Sequence, residues 1–281
     1  MKSYVSFYSG IYIFTYAAIG ALFPLIAQYL HDIGFSGSQI GVITASSTAI
    51  GIFSNSLLGG IYHRRQRSKK LILLLCVLTA ILSLLLMAAE QFWMFLLLYI
   101  IVFFFENPVY PLIDSTIMEV NYPFGAARKW GAVGFALGIG VAGMIADQFG
   151  LISIFPMFAG FFLLTALLIG FHLARRKDAP HRAASILSNL KAEEPCKETE
   201  AEGCYKDLLR NRKYTALLLS AFFFVGPALS HNTYFSFLYI EVGGTIAGMG
   251  LVLLLMVISE APFMAWSERI SSALTMERAI L

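Results

Sequence analysis

Apolar residues in this chain fall in long runs separated by short polar hairpins. Eight runs are read, at roughly 5–30, 39–62, 71–89, 92–113, 130–146, 151–173, 215–240 and 247–267. Each is close to the ~20 residues that an α-helix needs to cross a bilayer. A single run would read equally as a buried helix of a water-soluble core. Eight in series do not, because no water-soluble core is wide enough to hide them all. The pattern predicts eight membrane-spanning helices.

The hairpins between the runs sort by charge. Threaded in and out, the eight runs leave all 20 Lys and Arg at the N-terminus, in alternate loops or at the C-terminus. The other hairpins hold Asp32, Glu90, Asp147 and Glu241 and no Lys or Arg. Basic residues are retained on the cytoplasmic side, so both termini are expected in the cytoplasm of a bacterial-type plasma (inner) membrane. Composition agrees: 58% hydrophobic and 13% charged, against about 45–50% and about 25% in soluble domains. The net charge of +3 is this loop bias, so lipid is an expected partner and nucleic acid is not. Cys76 lies inside a span, and Cys196 and Cys204 lie in a cytoplasmic loop. None has metal-ligand spacing and the compartment is reducing, so no disulfide, zinc or cofactor is expected. The first run is too long for a signal-peptide core and should stay as a helix.

The domain reading follows. Residues 1–173 form a six-helix transmembrane bundle, 174–213 a charged cytoplasmic linker with ten bases and seven acids, and 214–281 a partial second bundle of two helices. The fold class is all-α: a polytopic membrane helix bundle, a six-helix half plus two helices of a second half. Two bundles joined by a cytoplasmic linker is how two-half secondary transporters are laid out. A second half of two helices reads as truncated, with further C-terminal helices missing. Within the first half, the third span is Leu-rich and is expected to face lipid. The second carries Thr44, Ser46, Ser47, Thr48, Ser54, Asn55 and Ser56, which belong against other helices or a wet cavity. In the fifth, Gly134 and Gly138 form one small-xxx-small step that permits close backbone contact.

Ionisable side chains inside apolar spans are costly, so each is a candidate for function. Glu106 lies deep in the fourth span, and Asp114 follows near its inner end. Arg128 opens the fifth span, across a hairpin from Asp114. An Asp–Arg pair at membrane depth offsets desolvation and offers a bidentate fork to a polar ligand; an interfacial pair that only anchors the hairpin has the same residues. Glu260 lies mid-span with no base placed in its own helix, a carboxyl able to hold or release a proton as its exposure changes. His231 interrupts the seventh span, either as a packing hydrogen-bonder or as a proton relay. In the first span Tyr4, Tyr8, Tyr12 and Tyr16 recur every fourth residue near one helical face. Tyr12 and Tyr16 are deep enough to line a cavity; plain helix packing is the alternative. There is no phosphate-binding loop, no His-Glu-x-x-His and no Gly-x-Ser-x-Gly, so an enzyme is not expected. His31-Asp32 and His63 lie at opposite membrane faces and cannot share a metal.

Several segments carry a family resemblance. Leu30-His31-Asp32-Ile33 after Phe23-Pro24, followed by Gly41-Val42-Ile43, resembles the first hairpin of the lactose permease branch of the major facilitator superfamily. Phe124-Gly125-Ala126-Ala127-Arg128, then Gly131-Ala132-Val133-Gly134, looks like the start of that branch's fifth helix. Pro111-Leu112-Ile113-Asp114 is similar to its Pro-x-x-Glu, and Glu260-Ala261-Pro262 also looks like relatives of phenylpropionate permease. The resemblance implies alternating access in a transporter of twelve helices, with Asp114 and Arg128 on the substrate and Glu260 in substrate binding and coupling. The superfamily's loop after the second helix appears as Gly59-Gly60-Ile61-Tyr62-His63-Arg64-Arg65-Gln66. His63 replaces the usual Asp, which weakens the charge latch of the inner gate, although Arg64, Arg65 and Arg67 remain. The Gly-Pro signature of drug antiporters is absent from the fifth helix, which favours symport. The expectation is proton-coupled uptake of a small polar solute (a sugar, nucleoside or aromatic acid). Tyr12, Tyr16, Asp114, Arg128 and Glu260 would bind it, and Glu260, Glu106 and His231 would handle the proton. The rival expectation is a truncated, non-transporting remnant or assembly partner.

Overall fold

A computed structural model describes residues 2–64, 69–119, 124–175, 211–246, 248–253, 255–256 and 259. Among the described residues the longer helices are α1 (Lys2–Asp32), α2 (Gly37–Arg64), α3 (Lys69–Leu85), α4 (Phe92–Glu106), α5 (Val109–Glu119), α6 (Phe124–Phe149), α7 (Ile154–Arg175) and α8 (Arg212–Glu241). Short 3-10 turns, Leu86–Ala88 and Leu151–Ser153, extend α3 and precede α7. The described residues contain no strand, so the all-α class holds.

Among the described residues six segments are long and apolar enough to cross a membrane: Phe7–Asp32, Gly37–Tyr62, Lys69–Ala88, Phe92–Met118, Lys129–Phe149 and Leu151–Ala174. They match the first six apolar runs. The seventh run lies in α8, whose strongly apolar part is Tyr214–Ala228. The eighth lies partly outside the described residues; 248–253 are helical.

Two compact units are present, Met1–Leu173 with Thr233–Leu281, and Ala174–Asn232. In the first, α1 is the most deeply buried of the six spans. It packs most extensively on α6, while α2 and α3 pack on α4. The α1–α6 contact is backbone against backbone. A Cβ on Gly134 would stand 2.1 Å from the carbonyl oxygen of Ile13, and one on Gly138 would stand 2.1 Å from that of Ala17. Gly20 answers from the other side, 2.2 Å from the carbonyl oxygen of Phe135 by the same measure. No side chain fits at these positions, which is what the glycine step is for.

The acid-bearing hairpin after α1 ends in a Schellman cap. Gly34 sits at φ +93°; its N–H donates to His31 and that of Phe35 to Leu30. Gly243, at φ +89°, repeats the device after α8, its N–H donating to Ile240 and that of Gly244 to Tyr239. Ser36 and Gln39 cap the start of α2 reciprocally: Ser36 N–H donates to Gln39 Oε1 at 2.9 Å, and Gln39 N–H to Ser36 Oγ at 3.4 Å.

One feature differs from the sequence expectation. The fourth apolar run is two helices, not one: Asn107 and Pro108 form a turn between α4 and α5. Pro108 has no N–H to give the carbonyl of Phe104, and its ring crowds that carbonyl. The hydroxyls of α2 also bond within their own helix. Thr44, Ser46, Ser47, Ser54 and Ser56 each bond to a carbonyl three or four residues back in α2. That internal satisfaction is what lets them sit in an apolar segment. The third span faces outward along Leu74, Ile81, Leu84 and Leu85 but buries Leu75, Cys76, Thr79 and Ser83.

Candidate functional site

The site grows from three residues of the fourth apolar run. Glu106, Tyr110 and Asp114 are spaced by four, so they recur on one side of the segment. Glu106 ends α4 and is 1% exposed. The Tyr110 hydroxyl, across the break on α5, donates to its carboxylate. One helical turn beyond Tyr110, Asp114 is half-buried and accepts from the hydroxyl of Tyr12 on α1. Both carboxyls are therefore held by phenols, one from the next helix and one from the central helix.

The tyrosines join the two carboxyls. The rings of Tyr12 and Tyr16 stack with centroids 5.6 Å apart and planes 6° apart. Tyr16 meets Tyr110 edge to face at 5.8 Å. A line runs from Glu106 through Tyr110, Tyr16 and Tyr12 to Asp114, and crosses from α4 and α5 to α1. Gly131 of α6 makes room for it, since a Cβ there would stand 3.1 Å from the Tyr16 ring and 3.3 Å from that of Tyr12. Tyr12 is fully buried and Tyr16 half-buried, so Tyr16 is the member nearer to open space.

Asn107 completes the surroundings. Its side-chain amide donates to the carbonyl of Phe103 at 2.8 Å and to that of Ser47, on α2, at 3.0 Å. Gly51 of α2 lies beneath it. Closer to the end of α5, the hydroxyls of Tyr62 and Thr116 meet at 3.0 Å. Lys69 donates to the Tyr8 hydroxyl at 3.0 Å, and a small, mostly apolar cavity beside them is lined by Phe7, Ile11, Ile72 and Ile169.

The MFS_1 like family is matched across residues 5–281. The chain belongs to that family, within the major facilitator superfamily. It is 30% identical to a maltose permease of Geobacillus stearothermophilus over 275 residues, covering 96% of this chain and 66% of the permease. It is 23% identical to the uncharacterized transporter YwbF of Bacillus subtilis (strain 168) over 264 residues, covering 92% of this chain and 62% of that protein. The chain thus spans about two thirds of the length of these relatives. In fold it is similar to the crystal structure of the nucleoside transporter NupG, with a TM-score of 0.75 at 15% identity, covering 98% of this chain and 69% of that one. These relatives are transporters, not enzymes, and the chain is a multi-pass membrane protein of that superfamily.

Within this major facilitator chain the expected site residues are distributed unevenly. Tyr12, Tyr16, Glu106 and Asp114 come together. Arg128 lies in the first two turns of α6, but its side chain is outside the described residues, as are the side chains of His63 and Arg64. Arg65, Arg67 and Glu260 lie outside the described residues altogether. His231 is on the exposed surface of α8, in the second unit. Sequence reasoning missed Tyr110 and Asn107. The four-residue spacing of Glu106, Tyr110 and Asp114 was the signal that would have found Tyr110. For Asn107 the signal was an amide directly before a proline in an apolar run.

Proposed function

We propose that this chain is part of a proton-coupled uptake system for a small polar solute, working by alternating access in the plasma membrane with both termini cytoplasmic. The observation that carries the reading is the pair of membrane-depth carboxyls, Glu106 and Asp114, each held by a tyrosine hydroxyl and joined by an aromatic line. A carboxyl accepts hydrogen bonds when ionised and also donates when protonated, so a change of proton rewires its contacts. Glu106, sealed from solvent, suits proton binding. Asp114, half-buried beside Tyr16, suits ligand contact, with Arg128 as its partner across the α5–α6 hairpin. Glu260 is a second candidate carboxyl, and His231 a further proton acceptor. Aromatic faces beside hydrogen-bonding groups fit solutes with a flat apolar side and a polar edge, such as sugars and nucleosides. The permease and nucleoside transporter among the similar proteins support that class.

Uptake into membrane vesicles under an imposed proton gradient tests this. Radiolabelled maltose, nucleosides and aromatic acids are offered to vesicles containing the chain. The expected result is gradient-dependent accumulation of one class, abolished by a protonophore. Glu106→Gln and Asp114→Asn should each lower it at least tenfold, as should Arg128→Ala and Glu260→Gln. Full uptake in all four variants removes the site assignment. Folded, membrane-inserted chain with no uptake of any class supports the assembly-partner reading instead.

A further inference from the structure

Glu106 and Asp114 sit on opposite sides of the break in the fourth span, and the contacts around that break are asymmetric. On the α4 side, Asn107 ties the helix end down. Its amide donates to Phe103 within α4 and to the Ser47 carbonyl in the middle of α2. The seat is fitted: a Cβ on Gly51 would stand 3.0 Å from Asn107 Cγ and Oδ1. On the α5 side the ties lie further from the break: Asp114 accepts from Tyr12 of α1, and Thr116 meets Tyr62 of α2. Pro108 supplies no N–H, so the ladder between the two helices is interrupted. The described side-chain bond that crosses the break along the segment is that from Tyr110 to Glu106. Asp114 rides on α5, four residues beyond Tyr110.

We infer that the Asn107–Pro108 break is a hinge that converts a change of proton on Glu106 into a movement of Asp114, with Asn107 as the positioning residue that makes α4 and α2 the fixed side. Ionised Glu106 accepts and holds Tyr110; protonated Glu106 can donate elsewhere and let it go. Because α4 is fastened to α2 beside the break, and α5 only further along through Thr116, the change is taken up at the start of α5, which carries Asp114 toward or away from Tyr12 on α1. The groups facing Glu106 leave it as the switch. They are Tyr99 on α4 and Tyr110 on α5, with Ser47 of α2 bonded to Tyr99, and Tyr16 of α1 and Cys76 of α3 against Tyr110. All are phenols, hydroxyls or a thiol, so among the described residues Glu106 faces no fixed charge. The inference rests on the reading of Glu106 as the proton-binding group.

The test is a distance. Leu97 on α4 and Met118 on α5 are 60% and 58% exposed, so both tolerate a spin label. Each is changed to Cys in a chain carrying Cys76→Ala, Cys196→Ser and Cys204→Ser, reconstituted in lipid nanodiscs, and the spin–spin distance is measured at acid and alkaline pH. The expected result is a shift of several ångström between the two conditions. Glu106→Gln should abolish the shift, and Pro108→Ala, which restores the helical N–H, should reduce it by more than half. A second pair, Ile52→Cys on α2 with Leu97→Cys, should be insensitive to pH in the parent and become sensitive in Asn107→Ala and Gly51→Val. A parent with no shift, or a shift that survives Glu106→Gln, overturns the hinge. So does a second pair that stays insensitive in both Asn107→Ala and Gly51→Val. If uptake still depends on Glu106 in that case, the transport reading stands and only the hinge is lost. If uptake is indifferent to Glu106, both are lost.

Discussion

Tyr12 shows how much one hydroxyl contributes when it lies at membrane depth. Its ring is fully buried and its oxygen serves Asp114. Tyr12→Phe keeps the ring stack and removes the donor. A hydrogen bond between membrane helices contributes about 0.6 kcal/mol on average, and up to about 1.7. Thermal unfolding in detergent should therefore fall by roughly 1 kcal/mol, while uptake falls much further because Asp114 loses its orientation. Unchanged uptake in Tyr12→Phe would remove the tyrosine from the site. Much of this was legible beforehand. Carboxyls in apolar runs announce themselves, and Tyr12 and Tyr16 share a helical face. What could not be read was the partner. Tyrosines are common in spans and at interfaces, and nothing in the pattern says that Tyr12 crosses to Asp114 rather than lining open space. The backbone of α6 decides it, because Gly131 leaves the room that the ring pair fills.

At the scale of elements, the α1–α6 contact is the part of the bundle least able to adjust. Overpacking costs typically about 1–3 kcal/mol where neighbours can shift. At Gly138 the obstacle is the Ala17 carbonyl, in a helix held along its length, so Gly138→Val should exceed that range and yield aggregated protein on size exclusion. Gly140→Ala, where nothing stands within 4 Å, is the matched control and should leave the elution profile unchanged. Aggregation of both, or of neither, would contradict the packing described. The glycine step itself was visible in the sequence; that its partner is α1 was not, because small-residue spacing names a contact without naming the neighbour. The break in the fourth span is the opposite case. Pro108 was in plain view, but unbroken apolarity on both sides, through Phe105 and from Val109 to Ile113, masks a turn.

At the scale of the whole molecule, a proton path has direction only if the membrane has a defined inside and outside face. On the proposed topology, the sorting of all 20 basic residues to one set of loops gives that direction, and membership of the major facilitator superfamily agrees with the six membrane-length segments. Two native cysteines make the threading directly measurable. Cys196 and Cys204 lie in the 174–213 stretch read from the sequence as a cytoplasmic linker, while Cys76 is buried in α3. A membrane-impermeant maleimide is applied to intact cells and to permeabilised cells, with Ser38→Cys at the exposed start of α2 as the outside marker. The account predicts that Cys196 and Cys204 react only after permeabilisation and that Ser38→Cys reacts in intact cells. Labelling of the linker cysteines in intact cells would place the basic loops outside and contradict it.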